Sequence, residues 1–195
     1  MNGFILASQS PRRKQLLEWA DLQFDIIVSA ADEAFPADMD VQDVPVHIAK
    51  NKALAVQDKI KNEFTTQNGK WIIAADTIVV LDNEIIGKPV DKADAVTILK
   101  KLSGKTHRVI TGVYLIKGAE SQSFSETTLV HFHPLTDEQI HYYIDQYQPY
   151  DKAGAYGIQD WIGVIGIKGI EGDFYNVMGL PVSKLLSYLP TTTGS

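Results

Sequence analysis

Cysteine is absent from the 195-residue sequence. That excludes disulfides, thiolate zinc sites, iron–sulfur clusters and a cysteine nucleophile, and it fits a reducing compartment. A long apolar run is missing too. The longest, over 71–81, is interrupted by Asp76 and Thr77 and is too short to span a bilayer as a helix. No basic segment precedes an apolar core near the start, because the apolar residues 4–7 come before Arg12, Arg13 and Lys14. These absences point to a cytoplasmic protein that needs no membrane.

Positive charge is in short supply. Eighteen Lys and Arg stand against 24 Asp and Glu, a formal net charge of −6, whereas a long nucleic acid needs a broad basic face. Several catalytic signatures are also lacking. There is no Gly-x-Ser-x-Gly turn for a serine hydrolase. Gly104-Lys105-Thr106 resembles the end of a P-loop, but Leu99 stands where that motif needs glycine. His131 and His133 alternate along a strand with His141 nearby, without a third ligand at zinc-site spacing.

What is present describes an ordinary globular chain. Hydrophobic residues make up 45% and charged residues 22%, and the length suits one domain, or one fold with two lobes over a shared core. Charge is unevenly spread. Residues 1–20 carry a net +2 from Arg12, Arg13 and Lys14 against Glu18, whereas residues 21–50 carry seven acids against Lys50. A small basic cluster beside acids suits a small anion, with or without a metal, better than a polymer.

Strand-like and helix-like stretches alternate throughout, which predicts an α/β fold with helices around a mixed sheet. Strands are predicted at 3–7, 24–28, 71–81, 84–86, 109–116, 127–132 and 161–170. Ser10 and Pro11 open the first helix. Pro45 opens a second, running to about Ile60, with Ile48, Ala49, Ala53, Val56 and Ile60 on one face. Asp91 caps a third, with Val96, Leu99 and Leu102 as its stripe and Gly104 as its stop. Asp82-Asn83 suits a hairpin turn, and Thr136 with Gln139 has capping-box spacing for a helix to about Tyr147. Pro181 opens a last helix with Leu185, Leu186 and Leu189. The glycines at 163, 166, 169 and 172 read as bends in a strand.

Three places carry candidate chemistry. At Ser8-Gln9-Ser10-Pro11-Arg12-Arg13 a strand gives way to a helix N-terminus, and two arginines there oppose the helix dipole unless an anion is bound. Lys52 falls within the apolar arc of its helix, where an ammonium must be paired or face a cleft. Asp76 sits mid-strand among apolar residues, where an unpaired carboxylate costs several kcal/mol and must meet a metal, a base or a phosphate-site cation, unless it serves only as a structural salt bridge or strand-end cap. Gly87-Lys88-Pro89 adds an ammonium at a loop.

In this order, Ser8 to Arg13, Glu33, Lys52-Ala53, Ala75-Asp76-Thr77, Gly87-Lys88-Pro89, Thr111-Gly112-Val113, Asp151-Lys-Ala-Gly-Ala-Tyr-Gly-Ile-Gln159 and Asn176-Val-Met-Gly-Leu-Pro181 resemble the Maf nucleotide pyrophosphatases. The resemblance runs over residues 4 to about 189. It implies a two-lobed fold like that of the inosine-triphosphate pyrophosphatases: one domain over 1–190 with a cleft between lobes, a short polar tail over 191–195, and a homodimer. It also implies hydrolysis of a nucleoside triphosphate to monophosphate and pyrophosphate with Mg²⁺ or Mn²⁺.

By the same resemblance Asp76 is the proposed general base, with a role as metal ligand alone left open, and Arg12, Thr77 and Gln159 govern substrate choice. Ser8, Arg12, Arg13, Lys52 and Lys88 would hold the triphosphate, and Asp76 with Glu33 the metal. The 151–159 segment looks like that of the dTTP/UTP subgroup; a sister subgroup acting on 7-methyl-GTP has glutamate in place of Gln159. A glutamine amide offers an acceptor and donors side by side, matching N3–H and O4 of uracil or thymine, whereas a carboxylate only accepts. Two other readings stay open at this point: a regulatory nucleotide-binding protein of cell division, and a purine-directed pyrophosphatase of the ITP type.

Overall fold

The computed structural model describes residues 3–67 and 69–189; the tail expected over 191–195 lies outside them. In chain order the elements are β1 (Phe4–Leu6), α1 (Pro11–Trp19), β2 (Phe24–Ile26), α2 (Val44–Glu63), β3 (Ile72–Leu81), β4 (Glu84–Ile86) and α3 (Lys92–Leu102). Then come β5 (Thr106–Lys117), β6 (Glu120–Phe132), α4 (Asp137–Tyr147), α5 (Trp161–Gly166), β7 (Ile167–Glu171), α6 (Phe174–Met178) and α7 (Val182–Tyr188). The strands form an open sheet in the order β2-β1-β3-β5-β6-β7, with β4 paired to β3. It is mixed: β1 runs parallel to β2 and β3, while β3–β4 and β6–β7 are antiparallel. This is the expected α/β class.

The chain forms two compact units. The first holds the chain up to Asp76, Thr111–Ser125 and the chain from Gly179 onward; the second holds Thr77–Ile110 and Glu126–Met178. Three of the four boundaries therefore fall inside β3, β5 and β6, and the fourth follows α6.

In the first unit, Ala53, Val56 and Ile60 of α2 pack with Ile5, Ala7, Ile27, Ile72, Ala74 and Ile116, as the helical spacing predicts. The start of α2 meets β5 at Gly112. A Cβ there would stand 2.2 Å from the Val46 nitrogen and 2.3 Å from the Pro45 carbonyl carbon. Only glycine lets the backbones come that close.

The second unit is capped as the sequence predicts. The Asp91 carboxylate accepts from the Asp94 N–H at 2.8 Å. Thr136 and Gln139 close a reciprocal capping box at 3.3 and 2.9 Å. Asp82 and Asn83 both take positive φ, 50° and 67°, as the tight turn into β4 demands. Within the core His107 stacks on Phe132 and meets Tyr156 edge-on, each at 5.4 Å between ring centroids. Its Nε2 lies 2.8 Å from the Tyr156 hydroxyl, and its Nδ1 is buried without a partner. Burial, reinforced by His131, lowers the His107 pKa from 6.5 to about 4.

Some expectations fail. The strand predicted over 161–170 is helix α5 followed by β7. β-branched content suggests a strand there, but Gly163 lets the helix pack on the Ile158 carbonyl oxygen, 1.8 Å from where a Cβ would sit. Gly166 likewise lies close to Leu135 and Phe132, so these glycines are packing points rather than bends in a strand. In α3 the buried face is Ala95, Ile98, Leu99 and Leu102, with Val96 half-buried at its edge. In α7 Leu185 is buried, Leu186 is exposed and Leu189 lies past the helix.

The neutral His107 makes stability pH-dependent. The unfolded chain binds this proton near pH 6.5 and the folded chain only near 4. Stability is therefore full above about pH 6.5 and falls towards pH 4, by about 3 kcal/mol for this group. Urea unfolding at pH 7 and pH 5 should show a steeper loss for the native chain than for His107→Gln. Gly112→Ala should destabilise by about 2 kcal/mol or more, because backbone rather than a movable side chain must give way; the urea midpoint measures it.

Candidate active site

The turn after β1 is built from local hydrogen bonds. Ser10, extended at φ −62° and ψ 117°, caps α1 by accepting from the Arg13 N–H at 3.5 Å, and Pro11 follows as the first helical residue. No acid sits in the first turn, so the positive helix end is uncompensated by the helix itself. The Ser8 hydroxyl oxygen accepts from the Ser10 N–H at 3.2 Å and from Arg13 Nη1 at 3.3 Å. Arg13 is buried, and its Nε donates to the Gly179 carbonyl at 2.8 Å. Arg12, the neighbour on the helix, is half-buried.

Lys52 reaches across from α2 to two carboxylates. Its Nζ lies 2.7 Å from Asp76 Oδ1 and 2.8 Å from Glu33 Oε1. The Asp76 side chain is 16% exposed and that of Glu33 is 60% exposed. The Asp76–Lys52 contact therefore carries most of the energy, since screening leaves an exposed partner worth little. The mid-strand carboxylate thus has a cation beside it, and the inward ammonium has carboxylate partners.

Arg13 belongs to the same field. Burial lowers its pKa from the ordinary value, the Asp76 carboxylate raises it, Arg12 lowers it and Glu33 raises it. Ser8, Arg12, Arg13, Glu33, Lys52 and Asp76 are thus gathered in the first unit, with cations and carboxylates interleaved.

The two carboxylates fit a divalent cation in one respect, because they already converge on a single positive charge. No group of three His, Asp or Glu side chains among the described residues is placed to hold a metal. Two carboxylates alone are a partial set of oxygen ligands, of the kind a hard cation takes together with other oxygen donors.

The remaining candidates lie in the second unit. Thr77 follows Asp76 along β3 and is half-buried. Lys88 is exposed on the loop after β4, and that loop is tied to the 151–159 segment by the Gly154 N–H donating to the Gly87 carbonyl at 3.0 Å. Gly154 takes φ +71° and lies against Val79, which lets the segment sit tightly on β3. The segment is mostly interior: residues 154–158 are buried and Gln159 is exposed.

Sequence reasoning missed three groups that shape these sites. Gly179 meets Arg13 through its carbonyl at φ +118°; its segment was noticed, but nothing local reveals a partner so far back in the chain. Tyr143 and Asp160 also escaped. The Tyr143 hydroxyl donates to Asp160 Oδ2 at 2.7 Å and accepts from the Gly157 N–H at 3.0 Å. Burial first, then the Asp160 carboxylate, pushes the Tyr143 hydroxyl pKa up, so it keeps its proton and donates. Tyrosine spacing on α4 reads only as core.

Comparison with known proteins adds to this geometry. The profile of the family described as Maf-like protein matches residues 3–192. A Porphyromonas gingivalis protein named dTTP/UTP pyrophosphatase is 47% identical over 186 residues, covering 95% of this chain and 92% of its own. Proteins of the same name from Cytophaga hutchinsonii and Bacteroides thetaiotaomicron are 48% and 47% identical, each over 95% of this chain and over 82% and 93% of their own. The solved structure of the Staphylococcus aureus Ham1 protein superposes with a TM-score of 0.46 at 14% identity, over 67% of this chain and 71% of that one.

Removing the shared cation separates the two ion pairs. Lys52→Met should destabilise the fold by about 2–3 kcal/mol, because Asp76 keeps its charge in a mostly buried place. Glu33→Gln should cost under about 1 kcal/mol. Urea unfolding of both variants at pH 7 checks the order.

Proposed function

The chain belongs to the Maf family, and from that premise we propose that it hydrolyses dTTP and UTP to the nucleoside monophosphate and pyrophosphate. The observation that carries this reading is identity of nearly one half, over 95% of the chain, to proteins named for that activity. The charge cluster of the first unit supports it chemically.

Ser8, the start of α1, Arg12, Arg13, Lys52 and Lys88 bind the triphosphate, where cations offset its charge and orient it. Arg13 also keeps the turn in shape through Ser8 and Gly179. Glu33 and Asp76 would hold Mg²⁺ or Mn²⁺, and the bound ion would supply positive charge against the negative charge that builds on the phosphate. Water attacks the α-phosphorus, Asp76 accepts its proton, and the lysines neutralise the departing pyrophosphate. Lys52 balances both carboxylates and keeps the acids close together.

Gln159 and Thr77 set the base preference. The Gln159 amide accepts from N3–H and donates to O4 of uracil or thymine, a pair that cytosine presents in reverse. Modified pyrimidine nucleotides with that edge intact belong to the same class. The protein works in the cytoplasm as a homodimer.

Product analysis tests the reading. With Mg²⁺ or Mn²⁺ present, phosphorus NMR should find monophosphate and pyrophosphate from dTTP and UTP, with ITP, GTP and 7-methyl-GTP slow. Turnover of the purines instead would overturn the base assignment. Tight binding with no pyrophosphate released would replace hydrolysis by nucleotide sensing. Asp76→Asn should lower kcat about 10²–10⁴-fold while the chain stays folded; near-normal turnover would remove Asp76 from the mechanism.

A further inference from the structure

The turn that presents Gln159 is clamped from beneath by one hydroxyl. The Asp160 N–H donates to the Gly157 carbonyl at 3.0 Å, closing a four-residue turn with Ile158 and Gln159 at its centre. Ile158 is buried and Gln159 is exposed. Both ends of this turn meet Tyr143: Gly157 through its N–H at 3.0 Å and Asp160 through Oδ2 at 2.7 Å. Gly157 is shaped for the arrangement, since a Cβ there would lie 2.5 Å from Asp160 Oδ2. The Asp160 carbonyl also accepts from the Gly163 N–H at 2.9 Å, which ties the turn to α5.

Packing alone does not call for a hydroxyl at this place. Tyr143 is fully buried in α4 and stacks on Tyr147 with ring centroids 5.1 Å apart, contacts that phenylalanine would make equally well. The oxygen is used on the two residues that bracket the exposed glutamine, one as a donor contact and one as an acceptor contact. We propose that Tyr143, with Asp160, is a positioning residue for base selection: it fixes the 157–160 turn so that the Gln159 amide is held in register with the pyrimidine edge.

The proposal rests on the base-reading role of Gln159 given above. It adds a cause for the precision of that reading. A glutamine on a slack turn can offer donor and acceptor in either order, and so loses its preference between uracil and cytosine, whose pairing edges are reversed at similar size. A glutamine on a fixed turn keeps it. Tyr143 touches no reacting atom in this scheme, so its loss acts on binding and selection rather than on the chemical step.

The test compares UTP with CTP in steady-state kinetics for the full-length protein. Tyr143→Phe should raise KM for UTP and lower the UTP:CTP ratio of kcat/KM, each about tenfold, as expected for lost hydrogen bonds at a reading site. Its kcat for UTP should stay within about twofold. Asp160→Asn, which keeps an acceptor for the hydroxyl, should retain most of the ratio, and Asp160→Ala should behave like Tyr143→Phe. Adding Tyr143→Phe to Gln159→Ala should lower the ratio no further, because both act through one group.

A Tyr143→Phe protein with lowered melting temperature but unchanged KM and ratio would overturn the clamp and leave a core tyrosine. If Tyr143→Phe does not fold, the Asp160 pair decides the matter by the same ratio. If Gln159→Ala leaves the UTP:CTP ratio unchanged, the base reading itself falls, an outcome distinct from failure of the clamp alone.

Discussion

A carboxylate in the middle of an apolar strand is the constraint on which the first unit depends. Asp76 cannot be left charged and unpaired in that place, and the fold answers with the Lys52 ammonium at 2.7 Å. For that contact to exist, α2 must lie across the strands with one residue of its inner arc carrying charge. Its apolar stripe supplies the adhesion, through Ala53, Val56 and Ile60. Its first turn must also come down onto β5, which is possible because residue 112 has no side chain. Apolar burial, a glycine and one ion pair are thus a single arrangement, in which the apolar contacts hold the helix and the charge pair fixes what it presents.

The same economy governs the turn before α1. Arg13 lies next to the carboxylates electrostatically, yet it is itself buried and bonded to Ser8 and to the Gly179 carbonyl. Of two adjacent arginines, one is committed to structure and the other is left half-buried. A pair of like charges on a helix N-terminus is unfavourable alone; here the neighbouring acids offset part of that cost. Such interleaving holds a site together without a ligand and still leaves it attractive to an anion.

Much of this was legible in the sequence, and the reasons are local. Caps are short-range chemistry, so Ser10, Asp91 and the Thr136–Gln139 box could be placed from spacing alone. The α2 stripe could be read because its period repeats over several turns. A charged residue in a run of β-branched neighbours announces a partner, which is how Asp76 and Lys52 came to notice before any geometry was known. What failed lacked local signal. The helix α5 contains Val and Ile, and its close contact with the Ile158 carbonyl depends on what lies opposite Gly163. The 151–159 segment looks polar because its ends are polar, while its middle is interior. The hydroxyl of Tyr143 and the carbonyl of Gly179 act on residues far away in sequence, and residue type says nothing of that.

The bond between Arg13 and Gly179 spans 166 residues. Neither compact unit is one continuous piece of chain, and the first needs both ends of it. During synthesis the turn after β1 is made among the first residues to emerge, but its buried guanidinium lacks the Gly179 carbonyl until residue 179 has been added. At a rate of about 5–20 residues per second, that is a wait of roughly ten to thirty seconds. The nascent chain therefore passes most of its synthesis with this corner unfinished, and a chain that stops before residue 179 cannot complete it.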